Sequence, residues 1–124
     1  MRANDSLIQL RPEVLHEAME SSPIEKFQNE VLRPILKFQH ELLLEEWRVN
    51  PLFKQVKESP NPAQKRKLLG LTFSKNTGLL QRLIGTVVGL LTTEEFNFYM
   101  SEKALIDKRI KELLLTRLLS YDEN

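Results

Sequence analysis

Apolar and polar positions follow helical spacing along most of the chain. In the first half, apolar residues recur in steps of three and four at 24, 27, 31, 35, 38 and 42, and charged residues fall on the opposite side at 26, 30, 33, 37 and 41. This predicts a long amphipathic second helix. Its start is marked by Ser22, Pro23 and Glu25, which match the N-cap, the first position and the third position of a capping box.

Prolines and capping residues divide the rest of the chain. Pro34 predicts a kink in the second helix, which should end before Asn50 and Pro51. Apolar positions between 7 and 19 predict a short first helix from about Pro12 to Ser22. Further on, Asn61 and Pro62 predict the start of a third helix.

The last part of the chain predicts two more helices. Residues 78–91 are apolar on almost every side, which is typical of a helix in the middle of a bundle. Thr92 and Glu95 form another capping box, from which a final helix should run to about Tyr121, with a core face at positions 96, 99, 100, 106, 110, 113, 114, 118 and 121. No segment has strand alternation. We therefore predict an all-α, single-domain bundle of four to five helices over residues 1–124, with a Pro-kinked second helix and a long C-terminal helix.

Composition narrows the class of protein. The 124 residues are 41% hydrophobic and 28% charged, as in ordinary globular domains, and include no cysteine. Disulfides, a thiolate nucleophile and cysteine metal ligands are thereby excluded. The N-terminal segment lacks the apolar stretch of a signal peptide, and the longest apolar run, 83–91, is too short to span a bilayer. We expect a cytoplasmic protein that does not act at a membrane.

Five polar residues fall on predicted apolar faces. These are Gln28 and Gln39 on the second helix, and Lys103, Asp107 and Arg117 on the last helix. Buried polar groups need partners, so they predict either a ligand pocket between the two helices or a structural network. In the pocket, Arg117 or Lys103 would hold an anion. The residues favour the network, with the pocket as the alternative.

A second apolar strip on the last helix bears on assembly. Phe98, Leu105, Leu115 and Leu119 lie away from its main apolar face, so this helix is either central or half exposed. A half-exposed strip favours a homodimer, the commonest oligomer. Gly85 and Gly89 have the GxxxG spacing that permits close helix packing, either inside the core or between subunits.

The charge is unevenly distributed. Between residues 54 and 82 there are 7 basic side chains and 1 acidic side chain, although the whole chain has a net charge of +1. Lys65, Arg66 and Lys67 are the candidate contacts to a polyanion in this basic segment. Few aromatic residues lie nearby, so we favour a solvated basic face over a nucleic-acid site.

Residues for catalysis or metal binding are sparse. Glu13 and His16 have the Glu-x-x-His spacing of di-iron bundles, but Lys37 stands where His40 would need a second glutamate. We interpret both histidines as surface residues. The glycines form no phosphate-binding loop and the serines no nucleophile elbow. We therefore predict no catalytic residue, no metal and no cofactor.

One segment carries a family resemblance. FQNEVLRPILKFQHELL, between Glu25 and Leu44, resembles a group of small, uncharacterised helical bacterial proteins of similar length, and GLLQRLIGTVVGLLTTEEFNFY resembles them more weakly. Such proteins are sometimes labelled glyoxalase. Glyoxalase I has a β-rich fold with a metal held by histidine and glutamate from strands, and this sequence predicts neither. The resemblance implies a helical fold and no mechanism.

These observations lead to three hypotheses. The first is a non-catalytic interaction or accessory protein that acts as a homodimer. The second is a small-ligand-binding protein or enzyme with a polar pocket between the second and last helices. The third is a nucleic-acid or polyanion binder that uses the basic segment.

Overall fold

The computed structural model describes residues 4–12 and 22–121, with Tyr121 described by its backbone alone. Within these ranges the structure is helical and contains no strand, which confirms the all-α prediction. The helices are α1 (Asn4–Gln9), α2 (Pro23–Phe27), α3 (Arg33–Phe38), α4 (His40–Arg48), α5 (Phe53–Lys57), α6 (Pro62–Lys75), α7 (Thr77–Val88), α8 (Thr93–Ser101) and α9 (Lys103–Tyr121). A π turn, Gln28–Leu32, joins α2 to α3.

Three predicted helix starts carry their predicted caps. Ser22 Oγ and Asn61 Oδ1 each accept a hydrogen bond from the amide three residues on, at 3.1 and 2.8 Å. At α8 the capping box is complete, because Thr92 Oγ1 accepts from the Glu95 amide at 3.2 Å and Glu95 Oε1 accepts from the Thr92 amide at 2.9 Å. These side chains satisfy amides that have no partner inside the helix.

The N-terminal part of the described chain contains a short helix that was not predicted. α1 spans Asn4–Gln9, ahead of the expected range. The predicted first helix, from Pro12 to Ser22, falls outside the described residues except at its two end positions.

A π turn lies directly before Pro34, where a kink was predicted. The amide of Arg33 donates to the carbonyl of Gln28, five residues earlier. Proline has no N–H, and its ring crowds the carbonyl four residues before it, here that of Glu30. The wider π turn relieves this crowding. A second break at Gln39, with φ −89° and ψ 7°, separates α3 from α4.

The extra residue in the π turn shifts the buried face of the following helices by about one position. Phe38 and Leu42, predicted to face the core, are 44% and 50% exposed. Leu36 and Leu43 are buried instead, at 1% and 0% exposure. The predicted apolar face was therefore wrong beyond Ile35, because a constant period of 3.6 residues does not hold across a π turn.

The predicted final helix is also two helices. Glu102, with φ −129° and ψ 33°, separates α8 from α9. Phe96 and Met100, predicted in the core face, are 41% and 49% exposed. The long C-terminal helix is present as the 19 residues of α9. The π turn and the breaks at Gln39 and Glu102 divide two predicted helices into five, and α5 is a further short helix, so the described ranges contain more helices than the predicted four to five.

α9 is the central helix of the bundle. It packs against α4, α6, α7, α8 and the π turn. Buried side chains of α9 form the hydrophobic core together with buried side chains of the surrounding helices. The largest fully buried side chains are Trp47, Phe73, Leu32, Ile35, Leu36, Leu43, Leu69, Leu83, Ile106, Ile110, Leu114 and Leu118.

An ion pair fastens the N-terminal segment to the bundle. Arg11 donates to both carboxylate oxygens of Glu95, at 2.6 and 2.8 Å, and to the carbonyl of Leu90 at 2.9 Å. The Arg11 side chain is 7% exposed and the Glu95 side chain 19%. This bidentate contact joins residues 84 positions apart.

Candidate functional site

Two of the five predicted ligand-binding residues lie together. Lys103 Nζ donates to Asp107 Oδ2 at 2.6 Å, and the hydroxyl of Tyr99 donates to Asp107 Oδ1 at 2.5 Å. Burial raises the pKa of Tyr99, and the hydrogen bond and charge of Asp107 raise it further. The Lys103 side chain is 49% exposed. The Tyr99–Asp107 hydrogen bond links α8 to α9, and the Lys103–Asp107 contact lies within α9.

The two glutamines contact different helices. Gln28 Oε1 accepts a hydrogen bond from Arg109 Nη1 of α9 at 3.1 Å. Gln39 Nε2 donates to the carbonyl of Thr86 on α7 at 3.1 Å. Gln28 therefore links the π turn to α9, whereas Gln39 links the α3–α4 junction to α7.

Arg117 lies in a third environment. It is half-buried, and its positive charge acts on His40. Burial lowers the pKa of His40 below its ordinary value of 6.5, and the Arg117 charge lowers it further. His40 is also half-buried, which differs from the predicted surface position.

One cation of the basic segment is paired with an acidic side chain of α9. Arg66 donates to Glu112 Oε2 at 2.7 Å, with its other nitrogen 3.4 Å from Thr116 Oγ1. Lys65 is half-buried and Lys67 is exposed at the start of α6. Lys65 and Arg66 line an open groove of about 370 Å³ beside this helix start. Polyanion binding by these three residues stays a prediction.

The predicted second apolar strip, which the structure divides between α8 and α9, is largely covered by the chain itself. Leu115 is 5% exposed, and Leu119 packs against the core. The ring of Phe98 lies on that of Phe27, with centroids 5.1 Å apart. Leu105 alone among the four strip residues remains exposed, at 53%. The strip is therefore explained by the central position of α9.

A different apolar surface is exposed on α4 and α7. Phe38, Leu42 and Val49 follow one line along α3, α4 and the turn after α4, and their exposed fractions are 44%, 50% and 76%. On α7, Gly85 and Gly89 are exposed. We call these five residues the α4–α7 face.

Hydrogen bonds place the two halves of this face side by side. Thr86 of α7 accepts from Gln39 through its carbonyl and donates through Oγ1 to Glu46, with the nearer carboxylate oxygen at 3.0 Å. Leu42 lies between Gln39 and Glu46 on the same side of the helix, because the three positions follow steps of three and four. Leu42 therefore lies on the side of α4 that borders α7.

Gly85 leaves space on this face. A Cβ atom added there would meet no atom within 4 Å, whereas one added at Gly89 would lie 3.1 Å from the Gly85 carbonyl oxygen. No side chain of the described structure therefore covers the place of a Gly85 Cβ atom. Among the described residues, the GxxxG spacing is not used for close packing at Gly85.

Two opposite charges border the face. Glu46 and Arg82 line an open groove of about 470 Å³ together with Val49. Glu46 accepts hydrogen bonds from Thr86 Oγ1. In the part of the chain that is described, no ion pair joins Glu46 to Arg82 or engages either residue elsewhere.

The sequence reasoning missed this face because it placed Phe38 and Leu42 in the core. A signal was nevertheless present, since Gly78, Gly85 and Gly89 follow one line of a helix at steps of seven and four.

Metal and membrane chemistry can be assessed only for the described ranges. Within 4–12 and 22–121, no group of three or more histidine, aspartate or glutamate residues is placed to hold a metal ion. Glu13 and His16 lie outside these ranges. None of the described helices is both long enough and apolar enough to cross a bilayer.

Comparison with known proteins gives no relative for this chain: no family model, no curated protein and no solved structure matches it.

Proposed function

We propose that the protein is a non-catalytic interaction or accessory protein that acts as a homodimer, with the α4–α7 face as the contact between subunits. The observation that supports this proposal is the row of exposed Phe38, Leu42 and Val49 beside the exposed glycines of α7. Exposed apolar side chains that share one line favour association, because contact removes their surface from water.

The occupant that fits this face best is a second copy of the chain. In a two-fold interface, one patch must complement itself. The α4–α7 face contains bulky side chains and exposed glycines on neighbouring helices, so rotation by 180° can bring the Leu42 of each subunit onto the Gly85 of its partner. The missing Cβ of Gly85 permits the close approach that such packing needs.

The bordering charges support the same arrangement. Glu46 lies on α4 and Arg82 on α7, and their charges are opposite in sign. The two-fold rotation that exchanges α4 and α7 also brings each Glu46 toward the Arg82 of the other subunit. Two symmetric charge pairs would favour this orientation over a parallel one.

The amino-acid composition bears on the cellular compartment of the protein. The absence of cysteine from the chain suits the reducing cytoplasm, and a cytoplasmic location is part of the proposal. The resemblance to small helical bacterial proteins is consistent with it.

Cysteine cross-linking tests the contact directly, because the natural chain has no cysteine. Leu42→Cys chains are mixed with Gly85→Cys chains and exposed to a mild oxidant. The proposed packing brings the two sulfurs of different chains within disulfide reach, so a mixed dimer should form rapidly. Leu71→Cys is the matched control, since Leu71 lies on α6 with a similar exposure of 43%.

The outcome separates the proposal from random collision. Rapid formation of the Leu42–Gly85 mixed dimer, with slow dimer formation by Leu71→Cys, supports the α4–α7 face. Equal rates for all pairs contradict it.

A further inference from the structure

A groove runs along α9 where the π turn approaches it. Its volume is about 470 Å³, within the range of roughly 300–1,000 Å³ typical of small-molecule sites. The lining includes Gln28 from the π turn and Leu105, Arg109 and Leu113 from α9. We call it the α9 groove.

Arg109 is the distinctive residue of this groove. It is half-buried, and its hydrogen-bond partner is the neutral side-chain oxygen of Gln28 at 3.1 Å. Across the described ranges, no carboxylate lies within ion-pair distance of its guanidinium. A half-buried guanidinium with one neutral partner keeps donors available for an anion.

The acidic side chain of the groove does not neutralise Arg109. Glu112 also lines the groove, but its Oε2 accepts from Arg66 Nη2 at 2.7 Å. Lys108, exposed at the same groove, adds a second positive charge. The groove therefore contains two cations beyond the Arg66–Glu112 pair, and its net charge is positive.

The π turn sets the position of the guanidinium. Gln28 is the first residue of the turn, and its carbonyl accepts the hydrogen bond from Arg33 that defines the turn. The side chain of Gln28 reaches α9 from this fixed backbone and holds Arg109 by Nη1. Irregular turns of this kind occur often at functional sites, where they redirect side chains.

Two leucines form the apolar part of the lining, which also includes Thr116. Leu105 is 53% exposed and Leu113 is half-buried, and both lie within two turns of Arg109 on the same helix. A ligand that fits both parts has an anionic head for Arg109 and a short apolar chain for the two leucines. We propose that the α9 groove binds a small organic anion, a carboxylate or a phosphate monoester with an aliphatic chain.

This inference does not rest on the dimer. It retains the predicted pocket between the second and last helices but assigns the anion to Arg109. Gln28 is the one residue of the predicted ligand set that lines this groove.

Titration of the ¹⁵N-labelled full-length chain by NMR tests the proposal. The probes are octanoate, octyl phosphate, acetate, inorganic phosphate and octylamine. Octanoate or octyl phosphate should shift the Gln28 side-chain amide and the Arg109 Nε–H signals saturably. Acetate and inorganic phosphate should bind with an affinity at least about tenfold lower, since they lack the apolar chain. Octylamine should not bind. The two octyl probes also distinguish a carboxylate ligand from a phosphate ligand.

Variants locate the site. Arg109→Gln should weaken octanoate binding at least about tenfold, because it removes the charged donor. Gln28→Ala should weaken it less, since it frees the guanidinium without removing it. Lys75→Gln, which removes an exposed charge at the end of α6 away from the groove lining and the candidate polyanion contacts, is the matched control and should bind as wild type does.

Several results overturn the proposal. Failure of all four anions to produce saturable shifts excludes the site. Equal binding by Arg109→Gln and wild type excludes Arg109 as the anion contact. Equal binding of inorganic phosphate and octyl phosphate removes the apolar part of the ligand. Backbone spectra of each variant establish that the fold is retained.

Discussion

Glu95 performs two tasks with one carboxylate. It accepts from the Thr92 amide as part of the α8 capping box, and it holds the buried guanidinium of Arg11. Burial alone would raise the pKa of Glu95, but the hydrogen bonds from Arg11 and Thr92 and the charge of Arg11 outweigh it, so the pKa is lowered from 4.5. Because the folded pKa is below the unfolded pKa, the stabilisation is complete above the unfolded value. It is lost as the pH falls through the folded value.

Replacing Glu95 should expose this linkage. Glu95→Gln keeps a capping-box side chain but leaves Arg11 without its charged partner, and it should lower the free energy of unfolding by about 1–3 kcal/mol at pH 7. Urea unfolding between pH 3 and pH 7 measures the effect. The variant should lose less stability than wild type below the ordinary pKa of 4.5. Glu94→Gln is the exposed neighbouring control, and an identical acid profile for Glu95→Gln and wild type would contradict the assignment.

Tyr99 should resist ionisation while the protein is folded. Burial raises its pKa, and Asp107 would repel the phenolate. The folded state therefore loses stability as the pH rises past the unfolded tyrosine value of about 10. The chain has two tyrosines, so Tyr121→Phe leaves Tyr99 alone to observe. Absorbance titration at alkaline pH, with circular dichroism to follow folding, should show ionisation only with unfolding. A normal titration in the folded protein would refute this.

At the scale of the element, the π turn decides which residues face the core. Local signals predicted the caps at Ser22, Asn61 and Thr92 correctly, because capping depends on side chains within three residues. The core-facing side of the helices beyond Pro34 could not be predicted from local signals. A proline predicts an interruption, but a kink and a π turn place the next residues differently, and only the packing around Leu36 and Leu43 selects between them.

The neighbouring residues Leu42 and Leu43 test this register. Leu43→Ala should cost about 2–5 kcal/mol because it leaves a cavity in the core. Leu42→Ala should cost under about 1 kcal/mol because its side chain is 50% exposed. Denaturant unfolding in dilute protein, where association does not contribute, gives both values. A larger cost for Leu42→Ala would restore the simple helical period and contradict the π turn.

Long-range geometry limited the prediction of the candidate site. Lys103 and Asp107 are one helical turn apart, so their contact follows from spacing alone. The partners of Gln28 and Gln39, on α9 and α7, depend on how the helices pack. The sequence did not indicate Arg109 as an anion contact, because that role depends on the groove between α9 and the π turn.

For the whole molecule, the central position of α9 changes where a partner could bind. The apolar strip from which the sequence predicted a dimer packs mostly inside the bundle, whereas Phe38, Leu42 and Val49 are exposed on its surface. Leu42→Glu should therefore prevent association, since it places a charge on the α4–α7 face. Leu71→Glu makes the same change at a residue of similar exposure on α6 and should leave association intact.

The most direct measurement is the molar mass by light scattering over a concentration series, for wild type, Leu42→Glu and Leu71→Glu. One chain has a mass of 14.5 kDa. We predict that wild type and Leu71→Glu reach twice this mass as concentration rises, while Leu42→Glu stays at the mass of one chain with an unchanged helical spectrum. A wild-type protein that remains at the mass of one chain throughout, or a Leu42→Glu variant that dimerises as wild type does, would contradict the proposed homodimer.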